Sequence, residues 1–234
     1  MDRFTNIYQN HAEQYDALVS FEDYEGNLLP AVQAICPLDG IDVVEFGAGT
    51  GRVTRLLAPH VKSIWAFDAS QAMLDVAAER LAADGVTNWT VGTADNRTLP
   101  IPDNSADLTI EGWSFSMYFV TTPDSWQQSI RDAVLEMERI TQPGGTAILI
   151  ETLGTGNEQP RYTHDKMERL YYLAEHEWGF TRTWIRTDCR YESPQQAEEL
   201  SRFFFGDEMG DKVRNHGWSI VPECTGILWK NIEK

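Results

Sequence analysis

The fold is decided by the stretch Val43-Val44-Glu45-Phe46-Gly47-Ala48-Gly49-Thr50-Gly51-Arg52. Its first four residues are typical of a buried strand, and three glycines at alternate positions then require a tight turn. Apolar residues at Val53, Leu56 and Leu57 begin a helical pattern directly afterwards. Backbone N–H groups in a strand–glycine–helix turn can approach a ligand closely. The stretch therefore predicts a site for a nucleotide-like cofactor.

Working outward, strand-like runs alternate with helix-like runs over the first two thirds of the chain. Strands are predicted at residues 41–46, 61–67, 89–92, 106–111 and 146–151, and helices at 4–18, 24–36, 52–58, 70–82 and 126–140. This alternation predicts an α/β fold with parallel strands and helices on both faces. The final strand, at 220–229, is expected to pair antiparallel with its predecessor and to close the sheet. Ligands of such sheets bind at the carboxyl ends of the strands.

Composition narrows the class of protein. The 234 residues are 42% hydrophobic and 11% aromatic, which suits one domain with a sizeable core. No apolar run reaches the about 18 residues of a membrane helix, and the N-terminus lacks the form of a signal peptide. The three cysteines are widely spaced, which fits a reducing cytoplasm rather than a disulfide framework. The net charge of -17 makes nucleic acid an unfavourable substrate.

Further positions in the sequence narrow the choice of cofactor. Asp68 ends the second predicted strand, at the spacing of a carboxylate that accepts hydrogen bonds from ribose hydroxyls; a helix-capping role is the alternative. Ala94 and Asp95 follow the third strand, where a backbone N–H and a carboxylate can bind the edge of an adenine, unless they form only a polar turn. Arg52 stands where a dinucleotide site has its last glycine, which disfavours NAD and FAD.

With these features in order, the chain resembles the class I S-adenosylmethionine-dependent methyltransferases, above all the small-molecule branch called methyltransferase type 11 or UbiE-like. The resemblance covers about residues 40–152. It is carried by Glu45-Phe46-Gly47-Ala48-Gly49-Thr50-Gly51, Phe67-Asp68-Ala69-Ser70-Gln71-Ala72-Met73-Leu74, Thr93-Ala94-Asp95, Leu99-Pro100, Ser105-Ala106-Asp107-Leu108 and Gln142-Pro143-Gly144-Gly145. It implies a three-layer sandwich around a mostly parallel, seven-stranded Rossmann-like sheet with an antiparallel last strand. It also implies S-adenosylmethionine as cofactor and S-adenosylhomocysteine as product.

The resemblance assigns expected roles to individual residues. The cofactor-binding set that it implies is Tyr15, Glu45, Gly47, Ala48, Gly49, Asp68, Ala69, Met73, Ala94, Asp95 and Glu111. Within it, Glu45, Gly47 and Gly49 surround the methionine part, and Asp68 holds the ribose. Ala69 and Met73 flank the adenine, whose edge is bound by Ala94 and Asp95. Glu111 is expected near the methionine part or the transferred methyl group.

The N-terminal segment is expected to cover this site. Tyr8, His11 and Tyr15 lie on one face of a predicted helix, and in similar proteins such a helix is a lid over the cofactor. An aromatic stripe packed on the core is the alternative. We thus expect one domain over residues 1–234, with a helical lid at 1–38, a cofactor-binding core at 40–152 and a substrate-side, sheet-closing region at 153–234.

The acceptor side is less specific. Trp113 and Tyr118, in an apolar loop after the fourth strand, are expected to bind substrate, with core packing as the alternative. His11, Glu111 and His164 are candidate general bases. The sequence Glu111-Gly112-Trp113-Ser114 replaces the Asn/Asp-Pro-Pro-Tyr type of tetrapeptide found in enzymes that methylate adenine. No cluster of residues has the spacing of a metal site.

These features predict in-line methyl transfer from S-adenosylmethionine to a small, partly apolar molecule. A catalytically silent cofactor-binding partner subunit and a nicotinamide-dependent oxidoreductase are the alternatives. The identity of the acceptor, the methylated atom and the choice between monomer and homodimer stay open.

Overall fold

Seven strands form one sheet in the computed structural model, which describes residues 3–233. In chain order the strands of the structure are β1 Asp42–Phe46, β2 Ser63–Asp68, β3 Trp89–Thr93, β4 Ala106–Gly112, β5 Thr141–Thr155, β6 Thr181–Arg186, β7 Cys189–Arg190, β8 Ile220–Val221 and β9 Glu223–Asn231. The helices are α1 Arg3–Asn10, α2 Ala12–Val19, α3 Leu28–Ile35, α4 Arg52–Leu57, α5 Gln71–Ala83, α6 Tyr118–Thr121, α7 Trp126–Ile140, α8 Asp165–His176, α9 Pro194–Phe205 and α10 Asp207–His216.

The large sheet has the order β3-β2-β1-β4-β5-β9-β6. Strands β1 to β5 pair in parallel, whereas β9 runs antiparallel to both β5 and β6. The predicted mostly parallel sheet with an antiparallel last strand is confirmed, and β6 closes its edge. The order reverses between β1 and β4, so the carboxyl ends of these neighbouring strands form the crevice where ligands of open α/β sheets bind.

Apolar side chains from both faces of the sheet build the core. Ile130 and Met137 of α7 are completely buried on one face, and Val32 of α3 and Leu57 of α4 are buried on the other. Strand β1 is buried from Val43 to Phe46, as expected for a central parallel strand covered on both faces. This rigid centre fixes the position of the glycine turn that follows it.

The N-terminal helix differs from the prediction. It divides into α1 and α2 at His11, whose φ of −136° and ψ of 35° are not helical. The next helix begins only at Leu28, because Asp23 adopts a φ of 52° and its carboxylate accepts hydrogen bonds from the N–H groups of Asn27 and Leu28 at 2.8 and 2.9 Å. The predicted helix over 24–36 was therefore about a turn too long.

Within residues 3–233, no helix is both long enough and apolar enough to cross a bilayer.

Candidate active site

A cavity of about 500 Å³ lies at the carboxyl ends of the central strands. Its size is within the range of small-molecule sites. The turn after β1, the end of β2, the loops after β3 and β4, and helices α1 and α2 all contribute to its wall. Its lining residues include Thr5, Tyr8, Gln9, Tyr15, Glu45, Gly47, Ala48, Gly49, Arg52, Asp68, Ala69, Met73, Asp95, Asn96, Trp113, Ser114, Met117 and Tyr118.

The glycine turn is held by close packing against the β4 loop. Gly47 has a φ of 66°, and a Cβ atom built there would lie 2.3 Å from the Cβ of Ser114. Only glycine fits both the backbone conformation and the space. The N–H of Ala48 donates to the carbonyl of Phe67 at 2.8 Å, which ties the turn to β2.

Asp68 connects two parts of the cavity wall. Its Oδ2 accepts from the N–H of Gly49 at 2.9 Å, and its Oδ1 accepts from the N–H of Ser70 at 2.8 Å. Burial raises the pKa of Asp68. A carboxylate has about four acceptor positions, so these two bonds orient the group and leave acceptor capacity for hydroxyl donors. The helix cap itself is Ser70, whose Oγ accepts from the N–H of Met73.

Glu45 contributes a second acid to the cavity. Its side chain is buried and Oε2 accepts from the hydroxyl of Thr54 at 2.6 Å. Burial raises the pKa of Glu45 to about 8, so the group is mostly protonated at neutral pH. A protonated carboxyl can both donate and accept hydrogen bonds.

The loop after β3 places its residues differently from the expectation. The N–H of Ala94 already donates to the carbonyl of Asp68 at 3.0 Å, and Ala94 does not line the cavity. Its expected contact with the adenine edge stays a prediction. The neighbouring Asn96 lines the cavity instead, and its buried Oδ1 has no hydrogen-bond partner within the protein. Asp95 does line the cavity, with its carboxylate held by the side chain of Arg97.

Glu111 lies behind the cavity wall rather than on it. Its Oε2 accepts from the N–H and hydroxyl of Ser114, both at 3.0 Å, and its Oε1 accepts from the N–H of Ile150 at 3.1 Å. The side chain is completely buried, and burial raises the pKa of Glu111 well above its ordinary value. Its oxygens hold the β4 loop in place, and Glu111 is not among the residues that line the cavity, so its expected role beside the cofactor or as a base stays a prediction.

The two histidine candidates also serve structure. His11 is exposed at the break between α1 and α2, and its ring contacts Phe203 with centroids 6.1 Å apart. His11 is not among the residues that line the cavity. His164 caps α8, because its Nδ1 accepts from the N–H of Met167 at 3.2 Å. Burial lowers the pKa of His164.

Helices α1 and α2 cover the cavity with aromatic side chains. Tyr8 and Tyr15 make an edge-to-face pair with centroids 5.2 Å apart, and both pack against Phe204 of α9. The backbone carbonyl of Tyr8 accepts from the hydroxyl of Ser70 at 3.1 Å. The N-terminal helices are thus fastened both to Ser70 at the start of α5 and to the C-terminal region.

A second cavity of about 380 Å³ adjoins the first. The two share a wall of five residues, which are Tyr8, Tyr15, Arg52, Trp113 and Met117. The rest of the second cavity is largely apolar and aromatic, with several acids. It includes Phe4, Val19, Phe119, Val120, Met167, Phe204, Phe205 and Met209 together with Glu22, Glu151, His164 and Glu223.

The shared wall is held by Arg52. Its guanidinium forms an ion pair with Glu22 and lies 3.7 Å above the ring centroid of Trp113. Trp113 therefore faces both cavities. Tyr118, the other expected substrate residue, lines only the larger cavity, where its hydroxyl donates to Asp95 at 3.4 Å. Tyr118 is not among the residues that line the second cavity, and its expected contact with substrate stays a prediction.

Across residues 3–233, no group of three or more His, Cys, Asp or Glu side chains is arranged to hold a metal ion.

Comparisons with known proteins agree with this architecture. Residues 43–145 match the family described as "Methyltransferase domain". The malonyl-[acyl-carrier protein] O-methyltransferase of Serratia marcescens is 31% identical over 204 residues, covering 87% of this chain and 72% of that protein. The demethylmenaquinone methyltransferase of Staphylococcus aureus is 27% identical over 242 residues, covering 97% of this chain and 94% of that protein.

Solved structures show the same fold. A Haemonchus contortus phospholethanolamine N-methyltransferase 2, in complex with phosphomonomethylethanolamine and S-adenosylhomocysteine, has a TM-score of 0.63 at 14% identity, covering 100% of this chain and 61% of that one. An Aquifex aeolicus SAM-dependent methyltransferase has a TM-score of 0.58 at 15% identity, covering 99% and 100%. The glycine turn, the sheet order and the relative from Serratia marcescens lead to one conclusion. This chain belongs to the class I S-adenosylmethionine-dependent methyltransferases, as its motifs predict.

Proposed function

We propose that the larger cavity holds S-adenosylmethionine and that the smaller cavity holds a small, partly apolar methyl acceptor. The observation that carries this proposal is the shared wall of Tyr8, Tyr15, Arg52, Trp113 and Met117, across which the two cavities meet. When bound, S-adenosylmethionine supplies a methyl group on a positively charged sulfonium. The chain supplies alignment of the two sites and shelter from water.

The residues of the larger cavity fit the chemical parts of the cofactor. Asp68 would accept hydrogen bonds from the ribose hydroxyls, and Ala69 and Met73 would contact the adenine faces. The unpartnered Oδ1 of Asn96 and the carboxylate of Asp95 would bind polar edges. Glu45, Gly47, Ala48 and Gly49 would surround the methionine part. The buried Oδ1 of Asn96 supports the fit, because a buried polar atom without a partner is normally satisfied by a ligand or water.

The acceptor is proposed from the lining of the smaller cavity. Its aromatic and aliphatic side chains favour a molecule with an apolar part, and its volume of about 380 Å³ suits a small one. Two relatives are named for malonyl-[acyl-carrier protein] and for demethylmenaquinone, which agrees with a small-molecule acceptor. The net charge of -17 argues against nucleic acid. An open second cavity also argues against a catalytically silent subunit.

The same geometry supports a domain organisation. We propose that residues 1–38 act as a lid, because Thr5, Tyr8, Gln9 and Tyr15 contribute to the wall of the larger cavity. The region 153–234 would complete the acceptor side, since Phe204, Phe205 and Met209 line the second cavity.

Filling the second cavity with a larger side chain tests the proposal that cofactor and acceptor bind in separate cavities. Val120 lines only the smaller cavity, so Val120→Trp is expected to abolish methyl transfer to small aromatic acceptors while leaving S-adenosylhomocysteine binding unchanged. Val120→Ala is the matched control and should keep both properties. Transfer at the normal rate by Val120→Trp would show that the acceptor binds elsewhere.

A further inference from the structure

Glu151 in β5 has one carboxylate oxygen engaged by a backbone hydrogen bond and a second that is buried without a hydrogen-bond partner. The side chain is 1% exposed, and its Oε1 accepts from the N–H of Ser116 at 2.7 Å. Its Oε2 is buried and has no hydrogen-bond partner. Among the buried side-chain polar atoms without a partner in residues 3–233, this is the only carboxylate oxygen. Leaving such a group unsatisfied costs free energy, which a ligand in the second cavity would recover.

Other buried acids of the region are already engaged. Glu111 accepts from three residues of the surrounding backbone and loop, and Glu45 accepts from Thr54. Glu223, on the same cavity as Glu151, accepts from the hydroxyl of Thr152 at 2.8 Å. Glu151 alone among these four combines a position on the second cavity with a free buried oxygen.

The position of Glu151 relative to the shared wall is also suitable. Ser116, whose N–H holds Oε1, immediately precedes Met117, which lines both cavities. Burial raises the pKa of Tyr8 most strongly, and the charges of Asp68 and Glu151 both raise it further. Tyr8, which belongs to the shared wall, lines the same cavity as Glu151.

The charges around the second cavity select among acceptors. Its described lining contains the acids Glu22, Glu151 and Glu223, but Arg52 is its only arginine or lysine and is paired with Glu22. Burial lowers the pKa of its histidine, His164. Once Glu151 is deprotonated, its negative charge disfavours an anionic group next to Oε2, whereas a neutral O–H or N–H group is not repelled there.

We propose, building on the proposed function, that the methyl acceptor reacts through the oxygen of an O–H group or the nitrogen of an N–H group. Oε2 of Glu151 takes up the proton that this oxygen or nitrogen loses. The acceptor's lone pair forms the new bond to the methyl carbon, and the electron pair of the breaking sulfur–carbon bond stays on sulfur. The acceptor proton passes to Glu151, giving a methylated acceptor, S-adenosylhomocysteine and a protonated carboxyl.

The surroundings of Glu151 suit this role. Burial raises its pKa towards the neutral range, where a general base is most effective. The titratable and charged groups on the elements around it are Glu111 on β4, Glu223 on β9, Tyr171 on α8, His164 at the start of α8, Tyr8 on α1, Glu22 after α2 and Arg52 on α4. Tyr171 donates to the backbone carbonyl of Glu151 at 2.9 Å, which fixes the strand without occupying the carboxylate.

The test uses the full chain and methyl-labelled S-adenosylmethionine with three panels of small aromatic compounds, namely phenols, amines and carboxylic acids. Wild type is expected to methylate members of the phenol or amine panel. Glu151→Gln is expected to lower kcat by about 10²- to 10⁴-fold with little change in KM. Glu158→Gln, an exposed glutamate further along the same segment, is the matched control and should keep the wild-type rate.

Two readouts separate a proton acceptor from a merely structural residue. The wild-type rate should rise with pH as Glu151 loses its proton, and Glu151→Gln should lack this rise. Added formate or acetate should restore part of the activity of Glu151→Ala. Wild-type kcat and pH profile in Glu151→Gln would overturn the inference, as would methylation of carboxylic acids alone or of no protic compound. S-adenosylhomocysteine calorimetry distinguishes these outcomes, because a wild-type protein that fails to bind it overturns the proposed function itself.

Discussion

The carboxylate of Asp68 accepts a hydrogen bond from the backbone N–H of Gly49, with 2.9 Å between Oδ2 and the nitrogen. This bond joins the end of β2 to the turn after β1, so two motifs that are 19 residues apart in sequence form one rigid wall. Because Asp68 also accepts from Ser70 at the start of α5, a substitution in the wall is expected to affect both binding and stability.

Gly47→Ala should be strongly destabilising. The new Cβ would meet the Cβ of Ser114 at 2.3 Å in a backbone with positive φ. Overpacking and the φ penalty together predict a loss of about 2–4 kcal/mol in the free energy of unfolding, measured by urea denaturation. Gly85→Ala is the control, since Gly85 has a φ of 73° and open space around it, and should lose only about 1 kcal/mol. Equal losses in both variants would contradict the packing explanation.

Arg52→Gln should lower the free energy of unfolding, measured by urea denaturation, by about 2 kcal/mol. The reason is that it leaves the largely buried carboxylate of Glu22 without its partner. Burial already raises the pKa of Glu22, and Arg52 lowers it. The double variant Arg52→Gln/Glu22→Gln should recover part of this loss. The exposed pair of Arg55 and Asp84 provides the comparison, and Arg55→Gln should cost at most about 1 kcal/mol. If the double variant is no more stable than Arg52→Gln, the loss does not arise from the unpaired acid.

The free energy of unfolding should fall as the pH rises towards 8, because the folded protein holds the proton of Glu223 more tightly than the unfolded chain does. Burial raises the pKa of Glu223 to about 8, against about 4.3 in an unfolded chain. The folded state therefore binds this proton more tightly, so its stabilising contribution is complete below pH 4 and is lost as the pH approaches 8. Glu223→Gln stays neutral and should show a smaller loss of unfolding free energy between pH 5.5 and 8.5. The exposed Glu192→Gln should follow wild type, and an unchanged slope in Glu223→Gln would refute the assignment.

Local motifs made the cofactor half of the fold predictable. The glycine turn and Asp68 depend on short segments whose conformation follows from glycine geometry and strand ends. The alternation of strands and helices predicts parallel strands, and the resemblance supplied the seven-stranded sheet with its antiparallel last strand. Tyr15 was expected at the cofactor from its place on the helical face together with the lid that the resemblance implies, and it lines the larger cavity although the helix divides at His11.

The choice between Glu111 and Glu151 could not be made from sequence. Both acids lie in neighbouring central strands, β4 and β5, and both are buried. Which of them keeps a free oxygen depends on how residues 113–116 fold back and where their N–H groups point, which is a long-range property. Asn96 was missed for the same reason, since only the structure shows that the N–H of its neighbour Ala94 is already used.

The most direct test of the central claim is calorimetric titration of S-adenosylhomocysteine into wild type, Asp68→Ala and Asp68→Asn. Asp75→Ala removes an exposed acid on helix α5, which follows Asp68 in the chain, and serves as the control; the folding of each variant is checked by thermal unfolding. We expect binding by wild type and Asp75→Ala, and affinity at least about tenfold weaker, or about 1.4 kcal/mol, in both folded Asp68 variants. Unchanged affinity in these variants, or no binding by wild type, would contradict the placement of the cofactor beside Asp68.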